Sequence, residues 1–337
     1  MSEIHALAAR EARGKLAPFS YDPGPLGAEQ VEIEVQYCGI CHSDMSMLNN
    51  EWRSARYPLV PGHEAIGKVT QLGANAKGLA IGQTVGLGWN SGSCLYCRAC
   101  LSGDHNMCST LEQTIVNRPG AFATHVRCHW VWATPLPAGI DPAKAGPLYC
   151  GGITVFNPLV QFDVKPTDRV AVVGIGGLGH MALQFLNKWG CHVSAFTTSD
   201  NKGDEAKKLG AHSVVNTRSA EDLKKVAGSL NFILSTVMAK LDMGLYLNAL
   251  APRGRFHTVG VIPEISTGAF PLIGRQREIS GSPSGPPSKV IGMLDFAARH
   301  GVAPITEEFP MSQANEALQH LESGKARYRV VLKNDLK

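Results

Sequence analysis

Four cysteines fall within the fifteen residues "CLYCRACLSGDHNMC", at Cys94, Cys97, Cys100 and Cys108. Two-residue gaps let neighbouring thiolates turn onto one ion, and a fourth ligand from the following loop closes a tetrahedron of sulfur around zinc. Such a site leaves no position for water, so its metal would be structural, folding a loop with little apolar core of its own. An iron–sulfur cluster is the rival reading of the same four thiols. Disulfides fit poorly. The opening MSEIHALAAR carries an early acid and no apolar stretch of the signal-peptide kind. The expectation is therefore a cytoplasmic chain whose thiols stay reduced.

A second group of reactive side chains is dispersed. "YCGICHSD" offers Cys38, Cys41, His42, Ser43 and Asp44, "PGHEAIG" offers His63 and Glu64, and "LYCGGITVF" offers Cys150. Any one of these alone reads as a core residue. Three metal-binding types at separate turns, flanked by glycines that permit close backbone approach, favour an open metal site without proving one. Cys38, Cys128 and Cys191 read as buried thiols of the core. A third pattern, "VAVVGIGGLG", sets Gly174, Gly176, Gly177, Leu178 and Gly179 between an apolar strand and an apolar helix. In that context a glycine turn brings a pyrophosphate to the backbone at a helix start.

The elements that must position these groups change character along the chain. Up to about Val85, turn signals such as "DPGPLG" and "GANAKG" separate strands like "VEIEVQYCGI", which alternates apolar and charged residues. A small barrel-like β domain is expected there. From Gly151, strands and helices alternate through "RVAVVGIGGLGHMALQFLNKWG", "HVSAFTT" and "LNFILSTV", the pattern of a parallel sheet covered on both faces. Beyond Pro286, two helices and the strand "YRVVLK" can return to the first domain. The 337 residues suffice for about two domains. The net charge of +4 and scattered basic residues give no nucleic-acid face, and no apolar run approaches the ~18 residues of a membrane span.

In these motifs the chain resembles the zinc-dependent medium-chain alcohol dehydrogenases. The family signature G-H-E-x2-G-x5-G stands here as Gly62, His63, Glu64, Gly67 and Gly73, with the cysteine lobe and the glycine turn following in the family's order. The resemblance covers essentially the whole chain. "CGICHSD", "CGGITVF" and "KARYRVVL" are most similar to the cinnamyl-alcohol-dehydrogenase group. The resemblance implies an α/β fold in which a GroES-like β-rich catalytic domain (1–150 and 287–337, structural-zinc lobe 90–110) receives an inserted, doubly wound Rossmann sheet (151–286). It also implies two zinc ions per chain and a homodimer. Cys41, His63 and Cys150 match the catalytic zinc ligands, Glu64 an acid that approaches the metal during ligand exchange, and Asp44 the carboxylate that orients the zinc-binding histidine.

The implied reaction is reversible hydride transfer between a nicotinamide cofactor and an aldehyde carbonyl. NADPH is expected. Where NAD-dependent relatives carry an acid on the adenine ribose, this chain has Thr197, Thr198 and Ser199, with Lys202 nearby, a set suited to a 2′-phosphate. Asp200 would oppose that reading if the register slipped. Thr154 matches a position beside the nicotinamide. Arg329 has two readings, a phosphate contact and a solvated charge at a strand edge. Ser43 matches the hydroxyl that passes a proton toward the cofactor ribose, but the relay histidine three residues on is Ser46 here. Water, Ser46 or His42 could finish that path, and His42 could instead touch the pyrophosphate. Trp52 and Trp89 flank the metal-binding stretches and would favour apolar or aryl aldehydes over polyols. The alternatives are a polyol or sugar dehydrogenase and a non-catalytic zinc- and dinucleotide-binding sensor.

Overall fold

The alternating stretch "VEIEVQYCGI" lies within the strand Gln30–Ile40, with Val31, Ile33 and Val35 turned into the core and Glu34 exposed. Glu32 departs from the expected half-buried pattern. It is buried, because Arg127 Nε and Gln71 Nε2 each donate to one of its carboxylate oxygens at 2.8 Å. This strand is central to a seven-stranded sheet. The order is Thr306–Pro310, Arg329–Lys333, Gln30–Ile40, Glu64–Leu72, Thr84–Leu87 and Thr134–Pro135, with His125–His129 also paired to Gln30–Ile40. Glu64–Leu72 crosses Gln30–Ile40 so closely that a Cβ on Gly67 would lie 2.0 Å from the Glu34 carbonyl oxygen. The last strand, Arg329–Lys333, runs antiparallel to Tyr37–Ile40, bringing the end of the chain back to the first sheet.

The computed structural model describes residues 3–198 and 203–337. Packing divides the chain into one unit that ends at Ile153 and resumes over Ser284–Lys337, and a second comprising Thr154–Pro283. The helix Gly151–Gln161 runs through the first boundary, so the change of sequence pattern at Gly151 precedes the change of packing by a few residues.

The second unit holds a six-stranded sheet, parallel throughout. Its order is Ser213–Asn216, His192–Thr197, Arg169–Val173, Leu230–Ser235, Leu250–Thr258 and Glu278–Gly281. Counted along the chain this is 3-2-1-4-5-6, the doubly wound order of a dinucleotide-binding sheet. The central strands are apolar on both faces, as burial on both sides requires: Val170, Ala171, Val172, Ile233 and Leu234 are fully buried. Cys38, Cys128 and Cys191 are also buried. Among the described residues, no helix is long and apolar enough to cross a membrane.

Candidate active site

Cys41 is the residue before the helix His42–Leu48, and Asp44 lies in that helix's first turn. The Asp44 carboxylate is fully buried and accepts from the Cys41 N–H, the Gly62 N–H and His63 Nδ1, each at 2.9 Å. Its bond to Nδ1 sets the tautomer of His63 and leaves Nε2 to face the cluster, 3.3 Å from Cys150 Sγ. Cys150 arrives from the turn that follows the short helix Gly146–Tyr149. The structure brings together one donor atom each from Cys41, His63, Glu64 and Cys150, all within 4.8 Å of one another.

These donors fit zinc. A tetrahedral centre with bonds of about 2.3 Å to sulfur and about 2.0–2.1 Å to nitrogen spaces S and N by about 3.6 Å, close to the His63–Cys150 separation. A second observation is an orphaned atom: Glu64 Oε2 is buried with no hydrogen-bond partner. The other oxygen, Oε1, accepts from Arg329, which also donates to the Ile40 carbonyl at 3.1 Å. Arg329 therefore does not sit as a solvated strand-edge charge. It is 4% exposed, because its strand packs against Gln30–Ile40 with the guanidinium directed at Glu64, and its Nε has no partner.

The donors of this cluster act strongly on one another. The Cys150 thiol beside Cys41, helped by His63, holds Cys41 well below the usual thiol range despite burial, and Cys150 is correspondingly pushed well above it. Burial draws His63 down, but Asp44 outweighs it and holds the imidazole well above its ordinary value. Burial raises Glu64, with Arg329 opposing.

The sequence-expected neighbours fall into place unevenly. Ser43 Oγ lies 3.8 Å from Cys41 Sγ. Ser46 is engaged: its hydroxyl donates to Glu51 Oε2 at 2.7 Å, and Asn49 Nδ2 donates to Oε1 of the same carboxylate at 3.2 Å. Nothing in the sequence pattern singles out Glu51, which lies beyond the helix. His42 is exposed at the helix start. Trp89 meets the His63 ring edge-on at 5.0 Å and so stands beside the cluster, and Trp52 meets Trp89 edge-on at 5.7 Å, one ring further out.

Cys94, Cys97, Cys100 and Cys108 form the other cluster, again with donor atoms within 4.8 Å. The Cys97–Cys108 and Cys94–Cys108 sulfurs are 3.9 and 3.6 Å apart, against about 3.8 Å for a tetrahedral zinc thiolate site. Backbone N–H groups already point at the sulfurs, Cys97 to Cys94 at 3.3 Å and Cys94 to Cys108 at 3.4 Å. At Cys108 the bond from the Cys94 N–H, with those from Thr110, outweighs burial and brings the thiol down to about 6, whereas burial pushes Cys100 up to about 12.

In the second unit, the glycine turn joins the strand Arg169–Val173 to the helix Gly179–Trp189. Gly174 has φ 87°, and a Cβ on Gly179 would lie 1.9 Å from the Gly174 carbonyl oxygen. Gly176 faces open space, while Gly177 and Leu178 are half-buried. Two residues that the sequence reading passed over brace this turn. Thr236 Oγ1 donates to the Gly174 carbonyl at 2.8 Å, and buried His180 places Nδ1 3.2 Å from the Gly176 carbonyl. Thr197 ends the neighbouring strand, one residue past the Val173–Phe196 pair, and Thr198 follows it, exposed. Ser199 and Lys202 lie outside the described residues. Thr154 is half-buried in the helix Gly151–Gln161.

Residues 27–138 match the family model of the alcohol dehydrogenase GroES-like domain, and residues 177–299 that of the zinc-binding dehydrogenase. The chain is 55% identical to the aldehyde reductase AdhA of Synechocystis sp., over 98% of both sequences. Its fold is similar to that of the cinnamyl alcohol dehydrogenase SbCAD4 of Sorghum bicolor, with TM-score 0.93, 34% identity and 98% of each chain covered. It is also similar to the cinnamyl alcohol dehydrogenase of Helicobacter pylori complexed with NADP(H), with TM-score 0.89, 28% identity and 98% of each chain covered.

The ligand types have a measurable consequence. Zinc takes cysteine as the thiolate and histidine through an unprotonated nitrogen, so protons held by this set must leave when the ion binds. Titrating zinc into metal-free protein, in weakly buffered solution with a pH indicator, should acidify it, and apparent affinity should rise with pH. An affinity independent of pH would contradict the assignment.

Proposed function

The chain belongs to the zinc-dependent medium-chain alcohol dehydrogenases, enzymes of alcohol and aldehyde oxidoreduction, and from that premise we propose that it reduces apolar and aryl aldehydes with NADPH, using one catalytic and one structural zinc. The observation that carries this reading is the buried four-donor cluster beside the Trp52–Trp89 pair. When bound, zinc supplies a Lewis acid for the carbonyl oxygen and NADPH supplies the hydride. The remaining chemistry is the work of side chains.

Cys41, His63 and Cys150 would hold the ion, and Asp44 would keep the His63 Nε2 aimed at it. Glu64 offers a further oxygen, and its bond to Arg329 limits how far that carboxylate can move. Three protein ligands with a replaceable fourth partner are what a catalytic zinc needs. Ser43 Oγ, adjacent to Cys41, would deliver the proton that the product oxygen requires. Exposed His42 is the candidate to pass a proton onward or to contact the pyrophosphate, since the Ser46 hydroxyl is directed to Glu51. The tryptophans would present an apolar wall to the substrate. The glycine turn 174–179 would carry the pyrophosphate, Thr154 would sit by the nicotinamide, and Thr197, Thr198, Ser199 and Lys202 would meet the 2′-phosphate. Arg329 would hold Glu64 in place, and a phosphate contact would require its buried guanidinium to be uncovered. The second cluster, Cys94, Cys97, Cys100 and Cys108, would hold the structural ion.

The same reading includes a homodimer through the edge strand Glu278–Gly281. That strand has a hydrogen-bonded neighbour on one side only among the described residues, and Phe270 and Ile273 nearby in sequence are largely exposed. Sedimentation should return twice the chain mass; a monomer would refute the dimer.

An aldehyde panel assayed with NADPH and NADH, before and after chelation, tests the activity. Aryl and apolar aldehydes should turn over with NADPH, and activity should vanish as zinc is removed from the Cys41–His63–Cys150 site. Turnover untouched by complete zinc loss would end the proposal. Ser43→Ala should retain zinc while kcat falls by roughly 10²–10⁴-fold. Near-normal turnover in that variant would remove Ser43 from proton transfer.

A further inference from the structure

In the second unit the strand Ser213–Asn216 lies parallel to His192–Thr197, with Asn216 opposite Thr197. Just past that pair the chain is pinned: the Thr217 N–H and Thr217 Oγ1 both donate to the Thr197 carbonyl, at 2.9 and 3.3 Å. Arg218 comes next, with an exposed side chain. Its N–H donates to Asn216 Oδ1 at 2.9 Å, and the Asn216 N–H donates to Asp222 Oδ2 at 3.2 Å, so the turn that carries it is fixed on both sides.

Arg218 is also uncompensated among the described residues. The acids that follow it, Glu221 and Asp222, are both paired to Lys225 Nζ at 3.1 Å. Among the described residues its guanidinium makes no ion pair. The strand end that carries Asn216 thus lies one strand spacing, about 4.8 Å, from the one that carries Thr197, and Arg218 follows Asn216 by two residues, within an arginine side chain's span of Thr197.

We propose that Arg218 is a cofactor-specificity residue whose guanidinium binds the 2′-phosphate of NADPH, an assignment that rests on the NADPH reading above. A phosphate monoester carries about −1.5 to −2 charges and accepts paired N–H donors, which the planar guanidinium supplies in matching geometry. The 2′-hydroxyl of NADH offers neither charge nor paired acceptors, so the same arginine adds little to NADH binding. An arginine acting only as a solvated surface charge would affect both nucleotides alike, weakly and with strong salt screening.

Calorimetric titration of the whole chain with 2′,5′-ADP and with ADP separates these cases without relying on turnover. Wild-type protein should bind 2′,5′-ADP the more tightly. Arg218→Ala should weaken 2′,5′-ADP by about tenfold, the scale of one charge-assisted hydrogen-bonded contact, while ADP changes by less than about twofold. Arg218→Lys should recover part of the loss, and all three proteins should melt at the same temperature. If the wild type prefers 2′,5′-ADP and Arg218→Ala binds it equally well, the arginine assignment is overturned and the NADPH reading survives. If the wild type shows no preference, the NADPH reading fails first and the assignment falls with it.

Discussion

The Asp44 carboxylate is the contact around which the metal site is organised. An ionised carboxylate without solvent is costly unless its oxygens are well bonded, and here three N–H donors satisfy it. Two of those donors are backbone groups from different segments, the start of the helix His42–Leu48 and the turn before the strand Glu64–Leu72. Asp44 is therefore stable in its buried place only when those segments meet. The same meeting puts Cys41 and His63 side by side and fixes which imidazole nitrogen faces the ion.

A second constraint comes from the end of the chain. Arg329 is buried against Glu64, and removing one member of such a pair typically costs about 3–5 kcal/mol, because the other charge is left unpaired. The pairing of Arg329–Lys333 with Tyr37–Ile40 is thus tied to the placement of Glu64 beside the metal ligands. Gly39 makes room for this, since a Cβ there would lie 2.0 Å from Glu64 Oε2. The two clusters differ accordingly. The four-cysteine lobe draws its donors from one short loop, whereas the mixed Cys–His–Glu cluster is assembled across the whole β-rich unit.

Local patterns were the most readable. The four cysteines between Cys94 and Cys108, the glycine turn 174–179 and the strand–helix alternation after Gly151 could each be recognised within a short window, because close sequence spacing limits how their groups can be arranged. The dispersed ligands were suggested by residue type and flanking glycines, but only a family resemblance joined them into one site. Cys41 and Cys150 are more than a hundred residues apart, and no periodicity links them. The supporting residues escaped for the same reason. Thr236 braces Gly174 from sixty-two residues away, and Glu51 takes the hydroxyl of Ser46 from a loop with no helical spacing to announce it. The alternation rule failed at Glu32 because Arg127, a distant strand neighbour, supplies the charge that makes its burial tolerable.

By itself the sequence determined the kinds of chemistry available: sulfur and imidazole for a metal, a glycine turn for a dinucleotide, hydroxyls instead of an acid at the end of the second strand of the parallel sheet. It also determined that two differently built regions would carry them. Tertiary structure alone decided that Arg329 faces Glu64, that Ser46 is bonded to Glu51, and that Thr217 is bonded to the Thr197 carbonyl, which brings Arg218 to that strand end. The physical reason is that such contacts depend on strand order and register. Those follow from the packing of the complete sheet, and no short run of residues specifies them.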